Sequence, residues 1–340
     1  MTDQTGPQGK CRTRLALLGA FLVGLLAAVF FLRVQVINLA KRAVPYVRRK
    51  AKVANPVLII NPWSGDGKAA QCNLAGVAED AGIKTIVMQQ GDHLAQLAID
   101  AIGDGADAIG MAGGDGSLAV VAGVAIEHDV PFFCIPVGTR NHFALDLGLD
   151  REDPLSALDA IPSGDEILID HALAGDRLFL NNISFGIYAQ AVHEDGYREQ
   201  KDKAFVKTIE ANVADVDAQA ALQYETPDGR VHERAPLLLI SNNRYHHSGP
   251  PDFGRRFRLD SGQLGISAVT SLPKVLDAAT ALLGEGHDYY EWEADSIRIQ
   301  SEQPILAGVD GEAVQFDSPV DIVIKPKALR VLVPTGTRPG

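Results

Sequence analysis

Cysteine is scarce in this chain of 340 residues: Cys11, Cys72 and Cys134 lie far apart. Three scattered thiols give no metal-ligand spacing and no even-numbered disulfide framework, and they fit a reducing compartment. A basic excess is missing too. The net charge of −12 excludes the electrostatic footprint of a nucleic-acid binder. There is no internal repeat and no long low-complexity tract. What is present is ordinary: 46% hydrophobic and 22% charged residues, enough for sizeable cores without stapling. The length corresponds to two domains.

Acid is absent from one region. Between Lys10 and Lys52 there are ten Lys or Arg residues and no Asp or Glu. Inside that region Leu15 to Leu32 reads LALLGAFLVGLLAAVFFL, eighteen residues without a charge. As a helix they span about 27 Å, close to the roughly 30 Å of a hydrocarbon core. Arg33 can snorkel, so Val34, Val36 and Ile37 extend the run. The expectation is a 1–14 tail, a transmembrane helix over 15–37 and a basic linker over 38–54. A signal peptide is the alternative, against a run that is long for one and has no small-x-small cleavage site behind it. Three cations precede the run and seven follow it, so the positive-inside rule places the body in the cytoplasm, single-pass. Pro45 interrupts any helix in the linker. The linker is either solvated or a contact for an anionic membrane surface.

Past residue 55 short apolar runs alternate with helical spacing. Strands are predicted at 56–62, 85–88, 106–112 and 131–137, and helices at 67–80, 93–102 and 117–127. That alternation implies βαβ units and a mostly parallel sheet. From 166 the pattern changes to strands at 166–174, 177–185, 264–269, 296–300, 305–309, 313–316, 320–325 and 329–333, with a hairpin of 222–225 and 235–242. Helical character is confined there to 190–219 and 272–283. The reading is an α/β domain over 55–166, completed by 326–340, and a β-rich domain over 167–325.

Four turn motifs carry the chemistry. Gly113-Gly114-Asp115-Gly116-Ser117 joins a strand to a helix. Glycines there admit positive φ and leave backbone amides open as an anion nest at a helix N-terminus. Asp115 can bind Mg²⁺ through water or accept a proton; a plain turn capped by Asp115 or Ser117 has the same sequence. Asn61-Pro62-Trp63-Ser64-Gly65-Asp66-Gly67-Lys68 also joins a strand to a helix. It is not a Walker A loop, because its glycine spacing is wrong and Ala69 follows Lys68. Asn61, Ser64, Gly65 and Lys68 can still meet a nucleotide, or Lys68 is solvated. Pro136-Val137-Gly138-Thr139-Arg140-Asn141-His142 is the third loop. All three belong at the carboxyl edge of an open α/β sheet, where ligands bind. Val309-Asp310-Gly311-Glu312 is a hairpin turn by its Asp-Gly. Its Glu312 can act as general base if it faces the cleft.

In this order, NPWSG, GGDGS, PVGTRNHFA and VDGE resemble the diacylglycerol kinase catalytic domain family, with its sphingosine kinase-like, ceramide kinase-like and bacterial soluble members. Asn182-Ile183-Ser184-Phe185-Gly186 is similar to a further family segment. The resemblance runs from about Pro56 to about Val333. It implies a nucleotide-binding α/β domain shaped like NAD kinases and phosphofructokinases, then a β-sandwich, with ATP in the cleft and lipid entering from the sandwich side. It implies that Gly113, Gly114, Gly116 and Ser117 hold phosphates, that Gly138, Thr139 and Asn141 line the nucleotide site, and that Asp115 and Asp170 support Mg²⁺. Glu312 or Asp115 would be the base. Two residues depart from the family: His142 stands where it has Asp, and Ser261 where bacterial members have a metal-binding Asp, with Asp260 adjacent.

The expected activity is transfer of the ATP γ-phosphate to a membrane lipid alcohol, diacylglycerol or a relative. A kinase for a soluble substrate and a non-catalytic lipid- or nucleotide-binding module are the alternatives. A homodimer stays open.

Overall fold

The structure is a computed structural model that describes residues 46–186, 189, 192, 222–227, 229–234, 236–246, 255–256, 258–269 and 289–339. The expected anchor over 15–37, almost all of the helical stretch over 190–219 and the helix over 272–283 lie outside the described residues. The membrane placement is corrected. No helix among the described residues is long and apolar enough to cross a membrane. The longest of them, Asp115–Glu127, has 13 residues, about 20 Å at the standard rise, against a core of about 30 Å.

Strands β1 (Arg48–Lys50), β2 (Pro56–Ile60), β3 (Lys84–Val87), β4 (Ala108–Gly113), β5 (Phe132–Pro136), β6 (Asp165–Ala174) and β7 (Arg177–Phe179) open the chain. They are followed by β8 (Asn182–Gly186), β9 (Tyr224–Glu225), β10 (Val231–His232), β11 (Leu237–Asn242), β12 (Tyr245–His246), β13 (Arg255–Arg256) and β14 (Leu264–Val269). The last are β15 (Tyr289–Ala294), β16 (Ser296–Ile299), β17 (Ile305–Val309), β18 (Glu312–Phe316) and β19 (Val320–Val333). Helices are α1 (Lys68–Gln71), α2 (Leu74–Asp80), α3 (Leu94–Gly103), α4 (Asp115–Glu127) and α5 (His142–Asp146).

The first sheet has the order β1-β6-β19-β5-β4-β2-β3, with β16 on β19 and β7 on β6. Its β2–β5 part is parallel. β2, β4 and β5 are buried along their whole length, as continuous apolar strands covered on both faces must be. The chain leaves β2 toward β3 on one side and returns to β4 on the other. The carboxyl ends of β2 and β4 therefore form a switch point, the crevice where open α/β sheets bind ligands. The second sheet, β15-β14-β11-β8-β17-β18, is antiparallel throughout. It closes a second core over the far halves of β6 and β19 and over β16.

The two cores share strands. Ile167 and Ile169 of β6 sit in the first core, and Ala172 and Ala174 in the second. In β19, Val320 to Ile324 belong to the second core and Leu329 to Val333 to the first. The expected boundaries at 166/167 and 325/326 fall inside strands that continue across them.

Several elements differ from the sequence reading. The helix expected over 67–80 is two pieces, because Asn73 takes a left-handed φ of 49° between them. The predicted hairpin of 222–225 with 235–242 does not form. β9 pairs with β10 instead, while the apolar β11 is claimed by β8 and β14. β19 is one strand; Ile169 faces Leu329 and His171 faces Lys325, so Asp170 alone stands opposite the bulge at 326–328. The 38–54 linker is corrected in part. Arg48 to Lys50 form an edge strand on β6, and Arg48 and Lys50 both reach Asp165, at 3.1 and 2.8 Å.

Candidate active site

Helix α4 begins at Asp115, directly after β4. Its N-cap is Gly114, in extended conformation, and no side chain bonds back to the first-turn amides. Neither Asp115 nor Ser117 is the cap. The amides stay open to an anion at the positive end of the helix dipole. The Asp115 carboxylate turns to the next loop instead, accepting from the amides of His142 at 3.2 Å and Phe143 at 3.0 Å. It thus caps α5 and ties the second loop to the third.

The first loop is bound in by backbone contact. A Cβ on Gly65 would lie 2.1 Å from the Val137 carbonyl oxygen, so only glycine allows this approach. The third loop is closed by Asn141, whose Oδ1 accepts from the Gly138 amide at 2.8 Å and whose Nδ2 donates to the Gly138 carbonyl at 2.6 Å. Its side chain is buried, at 1% exposure, so it shapes the loop from within.

The fourth motif arrives from the second sheet. Asp310 and Gly311 both have positive φ, 48° and 82°, as a two-residue hairpin turn between β17 and β18 requires. Asp310 also accepts from the amides of Leu180, Asn181 and Asn182 at 2.8, 2.9 and 3.0 Å. Burial pushes its carboxyl up to about 6, with the Asp115 charge adding to the rise and the amides opposing it. Its ionisation is favoured less in the fold than in the open chain, so what it adds to stability falls as pH rises through about 6. This fastening sets Glu312 against α4. A Cβ on Gly116 would fall 2.3 Å from Glu312 Oε1, and Arg177 donates to Glu312 Oε2 at 2.8 Å.

Together these loops enclose a cavity of about 320 Å³. Ser64, Gly114, Asp115, Gly116, Ser117, Thr139 and Glu312 line it. Pattern reading missed Asn181, whose role nothing in its spacing betrays. It also took Asp310 for a turn residue only. Arg140, His142 and Asn182 complete the polar wall. Burial holds the His142 imidazole below its ordinary pKa, Asp115 opposing and Arg140 assisting.

Other expected residues stand elsewhere. Asn61 accepts from the Trp63 amide within its own turn. Lys68 donates to the Arg151 carbonyl. Asp170 is fully buried and accepts from the Gly262 and Lys327 amides at 2.6 and 2.7 Å and from Asn243 Nδ2 at 2.7 Å. It fastens the β19 bulge to the 259–263 loop and does not line the cavity that holds Asp115.

The donor set fits a metal–nucleotide complex. Among the described residues, Asp115, Asp310 and Glu312 line the cavity with one guanidinium, Arg140, while Arg177 pairs with Glu312 from outside that lining. A divalent cation taking one or two carboxylates and sharing its other positions with phosphate and water suits these oxygens. Among the described residues no cluster of three metal-ligating side chains forms a cage of its own.

Comparison with known proteins gives four likenesses. Residues 55–174 match the diacylglycerol kinase catalytic domain. A diacylglycerol kinase of Mycobacterium tuberculosis (strain CDC 1551 / Oshkosh) is 31% identical over 120 residues, 34% of this chain; the chain spans only 39% of that relative's length. A protein of Xanthomonas campestris pv. campestris named "Probable lipid kinase YegS-like" is 27% identical over 279 residues, 75% of this chain and 88% of its own. In fold, the crystal structure of a diacylglycerol kinase from Bacillus anthracis str. Sterne covers 85% of this chain with a TM-score of 0.61 at 21% identity, over the whole of that chain.

Proposed function

We propose, for a chain whose residues 55–174 belong to the diacylglycerol kinase catalytic domain family, that it is an ATP-dependent lipid kinase. Its acceptor is the hydroxyl of a lipid alcohol, diacylglycerol or a close relative. The observation that carries this reading is the place of Glu312. Its carboxylate lies against the open first turn of α4, so a proton acceptor and a phosphate cradle share one wall.

Bound Mg·ATP would supply the phosphoryl group and neutralise charge between its oxygens. The rest falls to the chain, and positioning does most of it. The amides of 114–117 receive phosphate oxygens. Ser64 and Thr139 flank them, and Arg140 adds a cationic side chain to the wall. Glu312 takes the proton from the acceptor hydroxyl as the acceptor oxygen bonds to the γ-phosphorus and the bond from that phosphorus to the β,γ-bridging oxygen breaks, so that ADP leaves. Asp115, oriented by two amides, holds the cation side of the site.

The test is a panel of lipid alcohols in mixed micelles with labelled ATP and Mg²⁺. Glu312→Gln should lower kcat by roughly 10²–10⁴ while Mg·ATP binding persists. Asp115→Asn should weaken Mg·ATP binding as well. ATP binding by the wild type without any lipid-dependent product would sink the reading.

A further inference from the structure

The resemblance to the bacterial soluble kinases implies a metal ion at the loop 260–263, and this chain has Ser261 where they have the ligating Asp. None of the loop's residues lines the cavity of the candidate active site. The residues present do not fit the ion. Three oxygens converge at this loop: Asp170 Oδ2, Ser261 Oγ and the Gln263 carbonyl. Their common point is filled by Asn243 Nδ2, which donates to them at 2.7, 2.8 and 3.4 Å. The two shorter contacts are ordinary N–H···O separations. Mg²⁺ and Ca²⁺ hold oxygen at about 2.0–2.6 Å, so a cation would first have to expel the amide. Asp170 is also engaged by the Gly262 amide at 2.6 Å and the Lys327 amide at 2.7 Å. It brings the one charged oxygen of the three, and affinity for hard cations falls with ligand charge. Asp260 is no substitute. Arg258 holds both its oxygens, at 2.7 and 2.8 Å, and lies over the Tyr46 ring.

We propose that Asn243 replaces that metal ion in this chain. A neutral amide closes the loop 260–263 onto Asp170, and so ties β11 and β14 of the second sheet to β6 and β19. The place suits Asn. Residue 243 follows β11 directly, is fully buried, and has a left-handed φ of 66°, which Asn accepts more readily than most side chains. The neighbours also set its orientation. Reversed, the amide would press its oxygen against a carboxylate and a carbonyl, both acceptors. As it stands, Oδ1 is buried without a partner among the described residues, while Nδ2 serves all three oxygens. Asn242, the preceding residue, works in the same direction: its Nδ2 donates to the Asp170 and Leu180 carbonyls, both at 3.0 Å. A divalent cation is then called for at the nucleotide and not by the fold. This holds whether or not the chain phosphorylates a lipid.

The test is thermal unfolding of the nucleotide-free full chain in EDTA and in Mg²⁺ or Ca²⁺, with bound metal measured by plasma mass spectrometry. The wild type should melt at the same temperature in all three, within about 1 °C. Asn243→Gly deletes the amide and keeps the left-handed backbone. It should melt a few degrees lower in EDTA, because a buried carboxylate loses a donor. Adding Ser261→Asp to Asn243→Gly supplies a second carboxylate in the emptied place. That double variant should melt low in EDTA, recover with Ca²⁺ or Mg²⁺, and bind an ion that the wild type does not. Three results would overturn the proposal. One is a wild type that loses several degrees in EDTA and whose bound ion persists in Asp115→Asn; the Asn243 amide would then be reversed around a cation. Another is an Asn243→Gly variant as stable as the wild type in EDTA. The third is a folded double variant that ignores metal. If the double variant folds in neither condition, the wild type and Asn243→Gly decide by themselves.

Discussion

Asp165 accepts from Arg48 at 3.1 Å and pairs with Lys50 at 2.8 Å, and these contacts hold β1 on the edge of β6. Their cations, Lys50 foremost, keep the Asp165 carboxyl below its ordinary value. A lowered pKa stabilises the fold above the open-chain value and loses that contribution as pH falls through the folded one. Lys50 is largely exposed, and such pairs are each worth less than about 1 kcal/mol. Asp165→Asn should therefore lower stability by about 1 kcal/mol at pH 7 in urea titrations. The gap should narrow as pH falls below the ordinary carboxylate range; a gap of equal size in acid and at pH 7 would show that the ion pairs are not its source. Three aspartates that look alike in sequence are set apart by their partners. Asp165 holds two cations, Asp170 three donors at a bulge, and Asp115 two amides at the cavity. None of those partners is near in sequence, so residue type and spacing could not assign the roles.

Helix α5 is only five residues long; Asp115 holds its first amides and a buried clamp holds its last residue, Asp146. Arg256 is fully buried, with its Nε on Asp146 Oδ2 at 2.7 Å and its other nitrogens on the Asn242 carbonyl at 2.7 Å and Asn181 Oδ1 at 3.0 Å. It joins α5 to the start of β8, where Asn181 lines the cavity. Removing one partner of a buried pair strands the other charge and costs about 3–5 kcal/mol. Asp146→Asn or Arg256→Met should each lose that much in chemical denaturation. Losses under 1 kcal/mol would show that the site does not depend on the clamp. The βα alternation was legible because β2, β4 and β5 are continuous apolar runs ending in glycine-bearing turns. The same logic placed all three loops at one edge, and Asp-Gly marked the β17–β18 turn. It failed where pairing is a competition. β11 has apolar residues that suit a local hairpin, but β8 and β14 bury them better, at Leu238 and Ile240. Arg256 was invisible because its only signal is burial.

The two cores are joined through the backbones of β6 and β19, not by a linker. Each strand gives one end to the α/β core and the other to the β core, and the pairs between them run from Asp165–Val333 to Ala174–Ile322. Fraying one core removes ladder bonds from the other, so the body at 46–340 should unfold as one cooperative unit, which for a chain of this size is not the default. The chain carries its own reporters, because it has two tryptophans. Trp63 is 56% exposed in the turn after β2, beside the first core. Trp292 lies in β15, opposite Ile266 and stacked near Tyr224, against the second core. Trp63→Phe and Trp292→Phe each leave one emitter, so fluorescence follows one core at a time. Urea titrations of the two variants, corrected for any shift seen by circular dichroism, should give coincident midpoints and slopes. Two separated transitions, with the Trp292 signal lost first, would mean that the second sheet melts off the long strands while the α/β side stays folded. Glu312, which hangs from the second sheet, would then leave the cradle in that intermediate, and activity should vanish with the first transition. Under single-transition unfolding, activity and both fluorescence signals should instead disappear together.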